Sequence, residues 1–224
     1  MSELEHFHDN GYARIDRAFP VYAIDAIADE VENLPVLGAG MRNLLSFDWC
    51  HALALHIAME PFLQLLDAEA VVPVQCTYFE KSSEKNWLVA PHQDISIPVA
   101  ERIDHPELRV WSRKDGMWFA QAPLELMQRM LVLRLHLDAC GPDDGPLKVV
   151  PGSHNAGRLS DEEALHMRDE VGEEMCYAKR GDVVAMRPLL LHASSKSRGT
   201  GRRRVLHFLF GPADLPYGLE WPRY

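Results

Sequence analysis

Two side chains that commonly bind metals stand two positions apart in the middle of the chain, and a third stands far downstream. They are His92 and Asp94, within Pro91-His92-Gln93-Asp94, and His192. Residues two apart on an extended strand point to the same side, so one strand can present both the imidazole and the carboxylate. A fold that adds His192 must bring distant segments together. Two histidines and one carboxylate on one face of a metal are typical of non-haem Fe(II) sites, which bind a cosubstrate and O₂ at the open positions.

The size and charge of the chain limit what it can be. Its 224 residues, 47% of them hydrophobic, are enough for one domain with a sizeable core. A formal net charge of −10 argues against binding to nucleic acid or to an anionic membrane, because both favour basic surfaces. We therefore expect a small-molecule substrate.

Cysteine usage and apolar runs bear on location. The four cysteines are widely spaced and form no Cys-x-x-Cys pair, which fits a reducing compartment. The sequence contains no pattern typical of a signal peptide, and its longest apolar runs are too short to span a bilayer. We expect a cytoplasmic protein without a membrane partner. The sequence does not indicate its oligomeric state.

Helical periodicity dominates the first part of the chain and β-type patterns dominate the rest. Glycine or proline separates many of the β-type runs, which favours a sandwich or barrel over alternating βαβ units. We expect one domain over 1–224, with a helical part over about 1–70 and a β core over about 71–210. The predicted helices are 3–10, capped by Ser2 and Glu5, then 23–34 and 50–68. The predicted strands are 71–80, 95–99, 131–138, 147–150, 174–178, 182–186, 189–193 and 203–210.

Two insertions interrupt the β-type series. The first covers 100–130 and contains a predicted helix from Ala122, and the second covers 160–171 and opens with a Ser160/Glu163 capping box. Insertions between the strands of a barrel commonly form lids and substrate pockets, so we expect the substrate specificity to reside there.

A second His-x-Asp pair, His136-Leu137-Asp138, means that spacing alone does not identify the metal site. The surrounding order of motifs does distinguish the two pairs. The segment ending in Asp94 is followed in turn by Gly145-Pro146 through Pro151-Gly152-Ser153-His154, by Gly181-Asp182-Val183-Val184, by His192-Ala193-Ser194 and by Arg203-Arg204-Val205. We interpret His136 and Asp138 as a polar pair inside the barrel.

This ordered set resembles the phytanoyl-CoA dioxygenase family of Fe(II)/2-oxoglutarate oxygenases, from about Val71 to Phe210. The resemblance implies a mainly β fold with flanking helices, built as a double-stranded β-helix, that is, a cupin-like jelly roll. It also implies that His92, Asp94 and His192 are the iron ligands and that O₂ binds at the metal.

The resemblance further implies a set of residues for the cosubstrate 2-oxoglutarate. Arg203 would pair with its far carboxylate, helped by Ser194, and a guanidinium suits this task because it forms two parallel hydrogen bonds to a carboxylate. Arg134 stands where relatives often carry an aromatic residue. It would add a second charge for 2-oxoglutarate, bind an anionic substrate, or form a structural ion pair with Asp138. Gln75 is a further candidate for the pocket.

The function implied is hydroxylation of a C–H bond in a small polar or anionic metabolite, with release of succinate and CO₂. The carboxylate of Asp94 favours hydroxylation, because related halogenases lack this group and bind chloride there. Two alternatives remain open at this point: a metal-binding jelly roll with non-oxidative, isomerase-like chemistry, and a binding module without turnover. A zinc hydrolase is disfavoured because the sequence contains no His-Glu-x-x-His motif.

Overall fold

The computed structural model describes residues 3–35, 40–61, 63 and 71–224. Five α-helices lie within these ranges: α1 Glu3–Asn10, α2 Val21–Glu32, α3 Asp48–Ile57, α4 Leu124–Gln128 and α5 Asp161–Val171. The prediction of α1 is confirmed, and Gly11 ends it at a φ of +79°, where a residue with a Cβ would be strained. The second and third predicted helices correspond to α2 and α3, which both begin two residues earlier than predicted, and α3 ends at Ile57, well before position 68. The predicted cap at Ser2 and the part of the third predicted helix at 62 and 64–68 lie outside the described residues.

Thirteen β-strands and three short 3-10 helices make up the rest of the regular structure in the described residues. The strands are β1 Tyr12–Ile15, β2 Gly40–Met41, β3 Val71–Lys81, β4 Val89–His92, β5 Ser96–Val99, β6 Arg109–Lys114, β7 Met117–Gln121, β8 Leu131–His136, β9 Leu147–Val149, β10 Glu174–Cys176, β11 Val183–Met186, β12 His192–Ser194 and β13 Arg203–Pro212. Each predicted β-type run overlaps one of these strands, although the run at 189–193 begins three residues before β12.

The strands form two larger antiparallel sheets and one smaller sheet. The six-stranded sheet has the order β1-β11-β8-β13-β3-β2, and the four-stranded sheet has the order β10-β9-β12-β4. Crossovers between strands distant in sequence build both sheets, as the jelly roll requires. The expected fold class, mainly β with flanking helices, is confirmed.

Alternation along β8 explains why the six-stranded sheet is covered on both faces. Leu131, Leu133 and Leu135 pack in a core cluster that includes side chains of α1, α2 and α3. Val132, on the other face, belongs to a second cluster that contains side chains from both larger sheets. Successive residues of a strand point to opposite sides, so the leucines hold the helices while the intervening residues face the interior of the barrel.

The insertion at 100–130 contains a hairpin that the sequence analysis did not predict. Strands β6 and β7 pair around Asp115 and Gly116, both of which have positive φ angles, and β7 also pairs with β5. Asp-Gly is a strong turn signal for such hairpins, so the pattern was present in the sequence. The predicted helix in this insertion is confirmed as the short α4.

The second insertion is helical and begins as predicted. Ser160 caps α5: its hydroxyl accepts from the backbone N–H of Glu163, while the Glu163 carboxylate accepts from the backbone N–H of Ser160. None of the helices in the described ranges has the length and apolar character needed to cross a bilayer.

Gly145 lies in the connection between β8 and β9 and fixes how closely that connection approaches the segment after β12. Its φ is +63°, and a Cβ built there would lie 2.5 Å from the carbonyl oxygen of Ser195. Because a backbone atom cannot move aside as a side chain can, only glycine fits at this position.

We predict that Gly145→Ala lowers the free energy of unfolding more than Gly116→Ala does. Both glycines have positive φ, which costs about 1–3 kcal/mol for a residue with a Cβ, but Gly116 has no atom within 4 Å of the added carbon. The difference between the variants in urea unfolding therefore isolates the collision with Ser195. Equal losses would mean that the backbone at Gly145 relaxes freely.

Candidate metal centre

The pairing of β4 with β12 brings the two candidate imidazoles together. His92 and His192 are direct antiparallel partners, and their ring centroids lie 4.2 Å apart. Asp94 follows β4, where its backbone N–H donates to the carbonyl oxygen of Pro188 at 2.9 Å. The candidate ligand atoms of the three residues all lie within 4.8 Å of one another. The structure thus brings together the three side chains that the sequence analysis singled out.

Each imidazole is held in one orientation by its own backbone. Nδ1 of His92 lies 2.9 Å from the carbonyl oxygen of Ala90, and Nδ1 of His192 lies 2.9 Å from that of Leu190. A carbonyl oxygen only accepts hydrogen bonds, so both Nδ1 atoms carry the proton and donate. Nε2 therefore presents a free lone pair in both rings, which is the form that binds a metal.

The charge states of the three groups also suit a metal. Burial would raise the pKa of the Asp94 carboxyl, but the adjacent histidines and Arg134 lower the pKa below its ordinary value. Burial lowers the pKa of His192 to about 4. A carboxylate and a neutral imidazole therefore face each other near neutral pH. Oδ2 of Asp94 is buried and lacks a hydrogen-bond partner among the described residues, as expected of an atom that takes a ligand.

The three side chains differ in their access to solvent. The side chains of His92 and Asp94 are 41% and 34% exposed, whereas that of His192 is only 5% exposed. Together they border a cavity of about 400 Å³, which is large enough for small molecules. The four side chains predicted to contact the cosubstrate also line this cavity: Gln75, Arg134, Ser194 and Arg203.

Two guanidinium groups are buried beside the metal-binding group without a carboxylate of their own. Arg203 and Arg134 are 3% and 7% exposed, and the structure gives neither of them an ion pair within the described part of the chain. Nη1 of Arg203 donates to the carbonyl oxygen of Gly145 at 3.1 Å, and the Nε atoms of both arginines lack a partner among the described residues. Buried charge is costly unless it is paired, so the cavity is built to receive an anion.

One of the three interpretations of Arg134 is wrong. Asp138 pairs with Arg204, whose Nη2 lies 2.8 Å from its Oδ1, and not with Arg134. Arg134 donates instead from Nη1 to Nδ1 of His207 at 3.0 Å. The reason is the register of β13 on β8, which places His207 directly opposite Arg134. Arg134 is therefore free to contact a ligand in the cavity.

The interpretation of His136 and Asp138 as a polar pair is also wrong. Asp138 forms an ion pair with Arg204, and both ring nitrogens of His136 lack a hydrogen-bond partner among the described residues. Burial, with the charges of Arg134 and Arg203, lowers the pKa of His136 to about 3, so this imidazole is neutral. This second His-x-Asp pair does not belong to the metal-binding group.

Sequence analysis missed two polar residues close to the site. His207 lines the cavity, and its Nε2 lies 3.7 Å from Oδ2 of Asp94. Lys81 is 1% exposed, and its Nζ lies 2.8 Å from Oγ of Ser194. Burial, with the charges of Arg203 and Arg134, lowers the pKa of Lys81 to about 7. Strand alternation could have identified both residues, because side chains an even number of positions apart lie on the same face of a strand. His207 is four residues from Arg203 on β13, and Lys81 is six residues from Gln75 on β3.

Comparison with known proteins agrees with this geometry. A profile of the family described as phytanoyl-CoA dioxygenase (PhyH) matches residues 7–205, most of the chain. The chain belongs to the phytanoyl-CoA dioxygenase family. The enzyme class predicted from the resemblance, a 2-oxoglutarate-dependent dioxygenase that uses Fe(II), is confirmed at the level of this family. A search among curated proteins finds no match.

Solved structures with the same fold include HygX, EctD and SnoK. HygX from Streptomyces hygroscopicus, with nickel and 2-oxoglutarate bound, is 19% identical, with a TM-score of 0.65 and coverage of 98% of this chain and 88% of HygX. The apoform of EctD from S. alaskensis is 18% identical, with a TM-score of 0.70 and coverage of 99% and 82%. SnoK, a non-haem α-ketoglutarate-dependent carbocyclase from nogalamycin biosynthesis, is 18% identical, with a TM-score of 0.67 and coverage of 99% and 87%. At these identities the likeness establishes the fold that the phytanoyl-CoA dioxygenase family shares.

We predict that Asp94→Asn weakens binding of Fe(II) or Ni(II) at least about tenfold, because loss of even a residue that only supports a ligand has an effect of this size. Asp138→Asn is the matched control, since it changes the carboxylate of the other His-x-Asp pair. Anaerobic calorimetric titration measures both affinities. Equal affinities for the two variants would contradict the assignment of the metal to the group around Asp94.

Proposed function

We propose that this protein hydroxylates a C–H bond of a small polar or anionic metabolite and converts 2-oxoglutarate into succinate and CO₂. One oxygen atom of O₂ enters the alcohol and the other enters succinate, so the atoms balance. The proposal rests on one observation: a single cavity is lined both by a group of two histidines and one carboxylate and by two buried guanidinium groups that have no ion-pair partner among the described residues. A purely structural metal site or an isomerase would not require those cations.

His92, Asp94 and His192 are the iron ligands in this proposal. When bound, Fe(II) supplies open coordination positions and the redox chemistry that activates O₂. The protein's own part is to hold the ligand atoms: the contacts of both Nδ1 atoms with backbone carbonyls fix the rings, and the backbone N–H of Asp94 fixes the start of its loop. Preorganised ligands do not have to be ordered when the metal arrives.

Arg203, Ser194, Arg134 and Gln75 contact 2-oxoglutarate in this proposal. Arg203 on β13 binds the far carboxylate, and Ser194 on β12 of the four-stranded sheet adds a hydroxyl from across the cavity. Arg134 lies opposite His207, closer to the metal-binding group, and supplies a second positive charge. A dicarboxylate would offset the charge of both guanidinium groups and satisfy their free Nε atoms, which is why a cosubstrate with two carboxylates fits this cavity.

The mouth of the cavity supports an anionic substrate. Arg42 and Lys114 approach it from different segments, while Trp87 and Phe119 add aromatic surface. Asp94 is the only acidic residue among the described residues that line the cavity. Fe(II), the Asp94 carboxylate and 2-oxoglutarate, taken with the two buried arginines, leave one positive charge; Lys81 beside Ser194 and Lys114 add to it, whereas Arg42 is paired with Asp115. A negatively charged substrate offsets that excess.

We predict that the protein releases succinate from 2-oxoglutarate only with Fe(II) and O₂, and that anionic metabolites stimulate the release more than their neutral methyl esters do. His92→Ala should reduce the rate at least about a hundredfold, because two protein ligands hold the metal poorly. Quantification of succinate by mass spectrometry measures both effects. Undiminished turnover by His92→Ala would rule out the proposed site, and an ester preference would rule out the substrate class.

We also predict that Arg203→Met raises the KM for 2-oxoglutarate about tenfold to a hundredfold, because hydrogen bonds to charged groups contribute about 1.5–3 kcal/mol. Arg202→Met is the control, since Arg202 lies beside it in sequence but pairs with Glu32 and Glu80 on the outside of the sheet. Initial rates of succinate release at varied 2-oxoglutarate give both constants. A matching rise in the control would show that the effect is not specific to the cavity.

A further inference from the structure

Among the described residues, Lys81 is the one fully buried lysine, and it lies beside the proposed cosubstrate site. It ends β3, where it is the direct cross-strand partner of Arg203 on β13. Its Nζ lies 2.8 Å from Oγ of Ser194, 2.5 Å from the carbonyl oxygen of Ser195 and 5.3 Å from the centroid of the Trp87 ring. An ammonium has three N–H donors and no acceptor, so its three contacts fix the group in place.

The contact with Lys81 decides how the Ser194 hydroxyl is used. A hydroxyl has one proton to donate and lone pairs that accept. The carbonyl oxygen of Ser195 and the face of the Trp87 ring both favour the charged form of Lys81, which only donates, when the cavity holds a carboxylate. The Ser194 oxygen therefore accepts from Lys81, and its own proton points elsewhere. Ser194 lines the cavity, and the structure gives its hydroxyl no acceptor among the described residues. The proton is thus available to an acceptor inside the cavity, beside Arg203.

We propose that Lys81 is a positioning residue for 2-oxoglutarate, acting through Ser194. By donating to the Ser194 oxygen it keeps that hydroxyl as a hydrogen-bond donor to the far carboxylate that Arg203 binds. The inference rests on the proposed function, because it requires that carboxylate to lie at this end of the cavity.

The electrostatics of this end favour the same role. Lys81, Arg203 and Arg134 are three buried cationic groups, and Asp94 is the only acidic residue among the described residues that line the cavity, where Arg203 and Arg134 also lie and Lys81 does not. Such a concentration of positive charge destabilises the ligand-free protein. A carboxylate seated between Arg203 and Ser194 would offset the repulsion, so the lysine also contributes charge to the binding of the cosubstrate.

The test is a comparison of ligands that differ only at the far end. Fe(II)-loaded protein is titrated without oxygen with 2-oxoglutarate and with pyruvate, which lacks the distal carboxylate, while the metal-to-ligand charge-transfer band is followed. We expect Lys81→Met to weaken 2-oxoglutarate binding at least about tenfold and to change the affinities for pyruvate and for Fe(II) by less than about threefold. In the Ser194→Ala background, the same substitution should cost much less than in the native protein, since coupled residues give non-additive losses.

Lys85→Met is the matched control, because Lys85 is a neighbouring lysine that pairs with Glu80 away from the cavity. It should leave both ligand affinities unchanged. Unchanged 2-oxoglutarate binding by Lys81→Met, equal losses for the two ligands, or fully additive losses with Ser194→Ala would each overturn the inference. If Lys81→Met does not fold, Lys81→Leu is titrated in its place, with the same expected selectivity, because leucine also lacks a hydrogen-bond donor.

The charge-transfer band of the native protein distinguishes a wrong role for Lys81 from a wrong proposed function. If the native protein gives no charge-transfer band with Fe(II) and 2-oxoglutarate, the proposed function fails. If the native protein gives the band and the Lys81 variants bind both ligands as it does, only the role of Lys81 is lost.

Discussion

The antiparallel pairing of β4 with β12 is the constraint on which the metal centre depends. It sets His92 opposite His192, although the two residues come from opposite ends of the β region. Shifting this register by one residue would turn one imidazole to the other face of the sheet, because side chains alternate along a strand. β12 is also held on its other side by β9, so the downstream histidine is fixed by two neighbours. The site therefore rests on backbone hydrogen bonds more than on contacts between the ligands themselves.

The second organising feature is the uneven distribution of charge. The chain as a whole is acidic, with a formal net charge of −10, yet its cavity is lined by four arginine or lysine residues and one acidic residue. On the outside of the same sheet, Arg202 and Arg204 are paired with Glu32, which ties α2 to β13. Three consecutive arginines thus take two roles, decided by which face of the strand each one occupies. Only the middle one faces the cavity.

Much of this was accessible from sequence, and the remainder depended on register. Alternation and turn residues located eight of the thirteen strands in the described residues, and the motif that contains His92, Asp94 and His192 predicted that these three side chains converge. The partner of Arg134 was not accessible, because it depends on His207 facing it across β8 and β13, and no local pattern states that pairing. Lys81 was missed although its even spacing from Gln75 along β3 places both side chains on the cavity face. The β6–β7 hairpin was missed even though its Asp-Gly turn was visible.

The gradient of exposure across the three candidate ligands has a consequence for how the centre is loaded. His92 and Asp94 face outward and His192 lies at the back, 5% exposed. An ion entering from solution would meet His92 and Asp94 before it reached His192, and a departing ion would leave past the same two residues. A chelator in the medium can thus approach from the front, so the occupancy of the centre follows the free metal concentration around the protein and is not sealed in at folding.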